Sequence, residues 1–163
     1  MIILNDPMRT FFSNRAQTKL PIQLEQKILE GFYEHINSVV FYCYRNRLEE
    51  ASLQNIIHFY GDLTGFEVTM NRIYIDDYVD NNNYNYQEIL NIGFTLIKII
   101  QNQWNNLRND ECTISLSCDL ESEFGTNASI TFYKKRPNET IFHSVDDCIQ
   151  PVFICDNTDC IAI

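Results

Sequence analysis

An alternation of apolar and polar residues in the last third of the chain most constrains its fold. Through residues 112–118, Cys, Ile and Leu at even positions alternate with Thr and Ser at odd positions, as in a strand with one buried and one wet face. Short runs with strand composition follow at 128–133, 140–143 and 152–155, separated by polar turns. Residues 112–154 therefore predict three or four antiparallel strands.

Helical periodicity precedes this meander in three segments. After Pro21, apolar residues recur at four-residue spacing and predict a helix over 21–36; a second apolar stripe predicts a helix from about 48 or 52 to 63. The longest predicted helix covers 86–107. Its apolar surface is so wide that we expect it to lie across the sheet and to be covered on more than one side.

Further strands are predicted in the first half of the chain. Phe66, Val68 and Met70 alternate with polar residues and predict a strand, which 73–75 would extend. Residues 39–44 fit either a buried strand or a continued helix. The chain is thus predicted to be α+β, with about three helices packed on an antiparallel sheet of four to six strands. We expect a single domain over 1–163, helix-rich over 1–110, with the meander over 111–155.

Charge is the most informative bulk property. The formal net charge is −10, and all of it falls in residues 61–163, because residues 1–60 contain equal numbers of acidic and basic side chains. Phosphate binding needs Lys and Arg, so this asymmetry argues against nucleic acid as a direct ligand. It favours a basic protein partner, which a negative face would attract. Plain solubility is the alternative explanation.

Cysteine usage and hydropathy bear on location and cofactors. No start typical of a signal peptide precedes the first helix, and the longest apolar helix contains Lys and Asn, so we expect a cytoplasmic protein that spans no membrane. Reduced thiols are then the better interpretation of the six cysteines. With no C-x-x-C and three histidines, a structural zinc site is not expected, and no cofactor is predicted.

Catalytic signatures are absent from the sequence, and no enzyme activity is expected. Asp76-Asp77-x-x-Asp80 has the spacing of a magnesium motif. It adjoins three asparagines, however, so a solvated loop or a partner-facing acidic patch is favoured, and no metal site is predicted. His35, His58 and His143 lie in no nucleophile motif. His143, beside Asp146, is the best placed of them, although a structural role is favoured.

Acidic residues at the strand ends of the meander are the main candidates for a site. Asp119, Glu121, Glu123 and the pair Asp146-Asp147, with Asp156 and Asp159, would meet at one rim of the sheet if the strands form as predicted. Interleaved aromatic residues would serve as interface anchors. The residues predicted to bind a partner are Asp76, Asp77, Asp80, Asp119, Glu121, Glu123, Phe124, Tyr133, Phe142, Asp146 and Asp147.

The meander also carries a resemblance. Residues 114–121 and 130–139 and Phe142, in a small acidic chain with helices first, resemble the immunity proteins of bacterial contact-dependent growth inhibition and related polymorphic toxin systems. The resemblance implies a monomer or weak oligomer that binds and neutralises a cognate toxin domain, often a basic nuclease. Some members of such families accept a toxin hairpin as an added strand.

Two other readings of the chain stay open at this point. One is a small ligand-binding domain or enzyme with a pocket between the long helix and the sheet. The other is a structural subunit of a homo-oligomer, which the apolar C-terminus at 161–163 could serve.

Overall fold

The computed structural model describes residues 1–80, 83–121, 123, 125–139 and 145–162. Within these residues the chain forms six α-helices and seven strands. The helices are α1 Asp6–Ser13, α2 Ile22–Leu29, α3 Arg45–Glu49, α4 Leu53–Tyr60, α5 Leu63–Met70 and α6 Tyr86–Leu107. The strands are β1 Ile3–Leu4, β2 Phe32–His35, β3 Ser38–Phe41, β4 Ile73–Tyr74, β5 Cys112–Asp119, β6 Asn127–Lys134 and β7 Val152–Asp156.

The main sheet has five antiparallel strands in the order β1-β7-β5-β6-β4. The alternating strand β5 is central and pairs over its whole length with β6, from Cys112 opposite Lys134 to Asp119 opposite Asn127. Both edge strands are two residues long. β1 and β4 come from the part of the chain predicted to be helix-rich, and β4 lies within the strand extension predicted at 73–75, so the sheet is not confined to the C-terminal meander. The predicted run at 140–143 lies outside the described residues.

Helix α6 crosses the inner face of the sheet with the bounds that its periodicity predicts. It begins with a capping box, in which Asn85 and Glu88 exchange side-chain and backbone hydrogen bonds. Its contact with β5 is direct: a Cβ added to Gly93 would meet Leu116 Cδ1 at 2.5 Å. A pocket between this helix and the sheet, which the ligand-binding alternative requires, would therefore need the two to separate here.

The predicted number of about three helices is wrong, because the described residues contain six. Three of these, α1, α3 and α5, are short and were not predicted as separate helices. At α1, the Asn5 side chain accepts the Met8 N–H as an N-cap, with Pro7 in the first turn. α3 and α5 also add to the count.

The predicted helix over 21–36 ends early. α2 stops at Leu29, and Gly31 takes a φ of +83°, which a residue with a Cβ rarely adopts. The chain then forms a β2–β3 hairpin, whose turn places Ile36 and Asn37 at φ of 47° and 63°. Of the two possibilities for 39–44, the strand is correct for the part within β3.

The predicted strand through Phe66, Val68 and Met70 is helix α5. Asp62 caps it by accepting the Gly65 N–H at 2.6 Å. Thr64, Phe66, Glu67 and Val68 are all buried, so the segment is covered around most of its circumference, and a period-2 pattern of apolar residues carries little information there.

Two side chains, Glu67 of α5 and Asn71 at its C-cap, join the two sheets, and we call them the α5 clamp. Asn71 accepts the Phe41 N–H at 3.0 Å and donates to the carbonyls of Val39 at 2.9 Å and Phe132 at 3.2 Å. Glu67 accepts the N–H groups of Val39 and Lys134. The clamp thus satisfies backbone groups along facing edges of β3 and β6 that would otherwise be buried without partners.

The buried carboxylate of the clamp is balanced by a buried cation. Arg136 donates from both terminal nitrogens to Glu67, whose side chain is fully buried. Burial raises the pKa of Glu67, and the bonds from Arg136 and the two backbone N–H groups act in the opposite direction. Ser38 donates as well, so only the ionised carboxylate can accept from every group around it.

Candidate functional site

The candidate site lies at one end of the main sheet, where β5 ends and β6 begins. Asp119 is opposite Asn127 at this point, and β7 starts with Val152 opposite Ser117. We call this the hairpin end. The other end, where Thr113 faces both Tyr133 and Asp156, is called the opposite end.

Asp76, Asp77 and Asp80 come to the hairpin end because β4 runs toward it. Tyr74 pairs with Ser129, so the 3-10 turn that follows, Ile75–Tyr78, lies beside the first residues of β6. Thr126 then donates its hydroxyl to the Tyr84 carbonyl at 3.1 Å, which holds the next loop against the β5–β6 connection. Three acidic residues from the first half of the chain thereby join those of the meander.

Asp146 and Asp147 reach the same end from the other side. The Cys118 N–H donates to the Pro151 carbonyl at 3.1 Å, and the Leu120 N–H donates to Gln150 Oε1 at 2.8 Å. Val145 is buried against Val152. The segment that carries the two exposed aspartates is therefore fixed beside the end of β5.

The two ends of the sheet differ in charge compensation. Within the described parts of the chain, no ion pair includes Asp76, Asp77, Asp119, Glu121 or Glu123. Near the opposite end, Lys134 pairs with Glu34 and Asp110 and Lys135 with Glu111 and Asp156. Lys27 donates to the Tyr78 hydroxyl, rather than to a carboxylate, at 2.8 Å.

Most of the carboxylates at the hairpin end are exposed, and Asp76 is the exception. Burial raises the pKa of Asp76, as does the neighbouring charge of Asp77, while backbone N–H groups oppose the rise. Its Oδ1 is buried without a hydrogen-bond partner among the described residues. Nor does this part of the chain contain any group of three or more His, Cys, Asp or Glu side chains arranged to hold a metal ion.

Several predicted members of the site lie elsewhere. Tyr133 is 6% exposed and belongs to the opposite end, so it does not join the acidic residues. Asp156 and Asp159 are also at that end, where both contact the N-terminal amine and Asp156 pairs with Lys135. The expectation that these two line the acidic rim is wrong. Phe124 and Phe142 lie outside the described residues.

The hairpin end also presents apolar side chains that the sequence pattern did not single out. Tyr74 is 44% exposed, Tyr84 is 37% exposed and Ile149 is 82% exposed. Tyr74 stands on the edge strand β4, and Ile149 follows the Asp146-Asp147 pair. In the sequence, Ile149 is an apolar residue close to an acidic pair in a predicted loop, and this pattern could have identified it as a contact residue.

Comparison with known proteins places the chain in a family. The sequence model described as the "Uncharacterized protein PM0498 family" matches residues 3–163. The chain belongs to this PM0498 family. A relative in Pasteurella multocida (strain Pm70), described as "Uncharacterized protein PM0498", is 24% identical over 127 residues, which cover 75% of this chain and 77% of the relative. No solved structure matches the chain.

Neither description names an activity, so the chemistry of this PM0498-family chain is argued from its own side chains. Burial raises the pKa of the Cys112 and Cys155 thiols and raises that of Cys118 to about 12, with nearby aspartates adding to the rise. Thiols held in the protonated form are poor nucleophiles. His35 and His58 are exposed, and His143 lies outside the described residues.

Hydropathy adds one finding about this family member. Among the residues that the structure describes, no helix combines the length and the apolar character needed to cross a membrane. Even α6, at 22 residues, is amphipathic, with Gln87, Asn91 and Lys98 on its outer side.

Proposed function

We propose that this chain is a non-enzymatic immunity protein that binds and neutralises a cognate toxin domain, a basic nuclease, in the cytoplasm of the bacterium that makes the toxin. One observation carries the proposal. Among the described residues, no ion pair includes four exposed acids of the hairpin end, Asp77, Asp119, Glu121 and Glu123, whereas Lys134 and Lys135 near the opposite end are paired with carboxylates. The resemblance of the meander to immunity proteins points the same way.

The proposed mechanism is electrostatic. Exposed carboxylates at Asp77, Asp119 and Glu121 would meet Lys and Arg side chains that a nuclease uses to hold phosphate, and would occupy them or cover the cleft. A one-signed face accelerates the encounter with a basic partner. Tyr74, Tyr84 and Ile149 supply apolar contact area among these charges, in the manner of interface residues that carry most of the binding energy.

Strand addition to the main sheet receives little support as the source of affinity. Its edge strands β1 and β4 are two residues long, and beyond β4 the α5 clamp occupies backbone groups of β6. Main-chain pairing over so short an edge would contribute few hydrogen bonds. Side chains at the hairpin end are therefore the proposed contact.

The test compares two charge-matched double variants in binding to the toxin domain encoded beside this gene. Glu121→Gln/Glu123→Gln removes two exposed charges from the hairpin end, and Glu30→Gln/Glu50→Gln removes two exposed charges that follow α2 and α3, outside the hairpin end. The dissociation constant should rise about tenfold or more for the first pair, which corresponds to ~1.4 kcal/mol, and stay within about twofold for the control. Wild-type affinity and inhibition of the toxin should both fall as salt is raised.

Three outcomes would overturn parts of the proposal. Absence of binding to the neighbouring toxin would remove the immunity function. Binding that is insensitive to salt would exclude the electrostatic mechanism. Equal weakening by both double variants would show that net charge, rather than the hairpin end, governs association.

A further inference from the structure

A second feature, independent of the acidic end, lies on the outer side of α6. Three side chains spaced one turn apart hold the last turn of α1 and the segment that follows it. Gln87 donates to the Phe11 carbonyl at 3.1 Å, Asn91 accepts the Ala16 N–H at 3.1 Å and Thr95 accepts the Thr18 N–H at 3.2 Å. Each of these polar groups is thus used to bind backbone.

The polar stripe continues along α6 after the bound segment leaves it. Lys98 and Asn102 come next, and Leu20 turns into the core. A groove of about 350 Å³ opens here between α6, residues 17–20 and the first turns of α2. Its lining includes Lys19, Lys98, Thr18, Asn102, Ile99 and Glu25.

The two lysines of this groove differ from the other lysines of the chain. Lys27 donates to the Tyr78 hydroxyl, and Lys134 and Lys135 form ion pairs with carboxylates. Among the described residues, no ion pair includes Lys19 or Lys98. Both lysines line the same groove, so their two charges are available to one anionic ligand.

We propose that this groove binds a small phosphate monoester of a polyol. Two ammonium groups match the charge of a phosphate dianion, and the Thr18 hydroxyl and Asn102 amide supply neutral donors. Glu25, the one carboxylate of the lining, would repel the phosphate and accept a hydrogen bond from a ligand hydroxyl. The volume is at the lower limit of small-molecule pockets, which begin at about 300 Å³.

The site is separate from the proposed toxin contact. Lys98 lies 12 positions after Tyr86, at the start of α6, whose hydroxyl donates to the Leu120 carbonyl at the hairpin end. At the rise of an α-helix this separation is about 18 Å, roughly twice the distance over which physiological salt screens a charge. Loss of one function should therefore leave the other intact.

The test uses titration calorimetry of the full chain with glycerol phosphate, inorganic phosphate and glycerol. Glycerol phosphate should bind more tightly than inorganic phosphate, and glycerol should not bind. Lys19→Gln/Lys98→Gln should weaken glycerol phosphate at least about tenfold, whereas Arg9→Gln/Arg72→Gln, which removes the same charge from exposed positions, should change it less than about twofold. Glu25→Gln should abolish the preference over inorganic phosphate.

Several results would refute the site. These are no binding of either phosphate at about 10 mM, unchanged binding by the lysine double variant, or equal loss in the arginine control. Equal affinity for the two phosphates would refute the polyol part. Circular dichroism of each variant, together with its binding to the toxin domain, separates a local loss from a failure to fold.

Discussion

Replacing Asn71 by Ala should be among the most destabilising single changes in this protein. Asn71 makes three buried hydrogen bonds, to the Phe41 N–H and to the carbonyls of Val39 and Phe132. A buried backbone group left without a partner costs about 1–3 kcal/mol. Three such groups imply a loss of about 3–9 kcal/mol, which is a large part of the roughly 5–15 kcal/mol by which a domain is stable.

The measurement is urea unfolding followed by both circular dichroism and the fluorescence of Trp104, which is buried in the core. Coincident transitions would justify a two-state free energy. Asn55→Ala is the matched control, because Asn55 is exposed on α4 and its side chain lines only a surface groove. Its effect should stay within about 0.5 kcal/mol.

A second variant and a second observable make the reasoning refutable. Asn71→Asp keeps an acceptor for the Phe41 N–H but turns a carboxylate toward two carbonyls, so it should be no more stable than Asn71→Ala. Amide exchange at Phe41 should accelerate in the Ala variant more than exchange at Ile114 in the centre of the sheet. A cost below about 1 kcal/mol for Asn71→Ala would show that the α5 clamp does not hold the two sheets together.

Three further outcomes are expected. The hydrogen bond from Arg108 lowers the pKa of Asp110 to about 2, so Asp110 contributes fully above the unfolded pKa of about 3.9 and loses its contribution as the pH falls through about 2. In urea unfolding, Asp110→Asn should cost at most ~1 kcal/mol at pH 7, because solvent screens this partly exposed carboxylate. Below about pH 2 the variant should cost almost nothing. Cys148 and Cys160, the exposed thiols, should react quickly with a chromogenic disulfide at neutral pH; because Cys43 is partly exposed, a fourth fast thiol would contradict the burial of Cys112, Cys118 and Cys155. Gly93→Ala should raise the unfolding rate and cost about 1–3 kcal/mol by overpacking against β5, a prediction that an unchanged thermal midpoint would exclude.

The long elements of this fold could be predicted from sequence because their patterns are long and one-sided. The alternation in β5 and the wide apolar stripe of α6 each extend over many residues, so few other structures fit them. Short elements gave weaker signals. Four residues suffice for β2, and in α5 burial on most sides removes the contrast between apolar and polar faces.

The same limits apply to the candidate site. The sequence predicted acidic residues at strand ends, and register then placed Asp119 and Asp77 at one end of the sheet. The sequence pattern placed Asp156 at the wrong end of the sheet. Asp156 is the last residue of β7 and pairs with Thr113 at the opposite end, whereas the first residue of β7 pairs with Ser117 near the hairpin end. Tyr133 was misplaced for a similar reason, since only the pairing of β6 shows which end it occupies.

The unequal compensation of charge along the sheet gives this molecule a centre of charge displaced from its centre of mass. Such a particle has a dipole moment about its centre of mass, so an electric field exerts a torque on it as well as a force. It should approach any positively charged surface, whether a protein or an ion-exchange resin, with the hairpin end leading. Orientation of the first encounter is thus set before any contact forms.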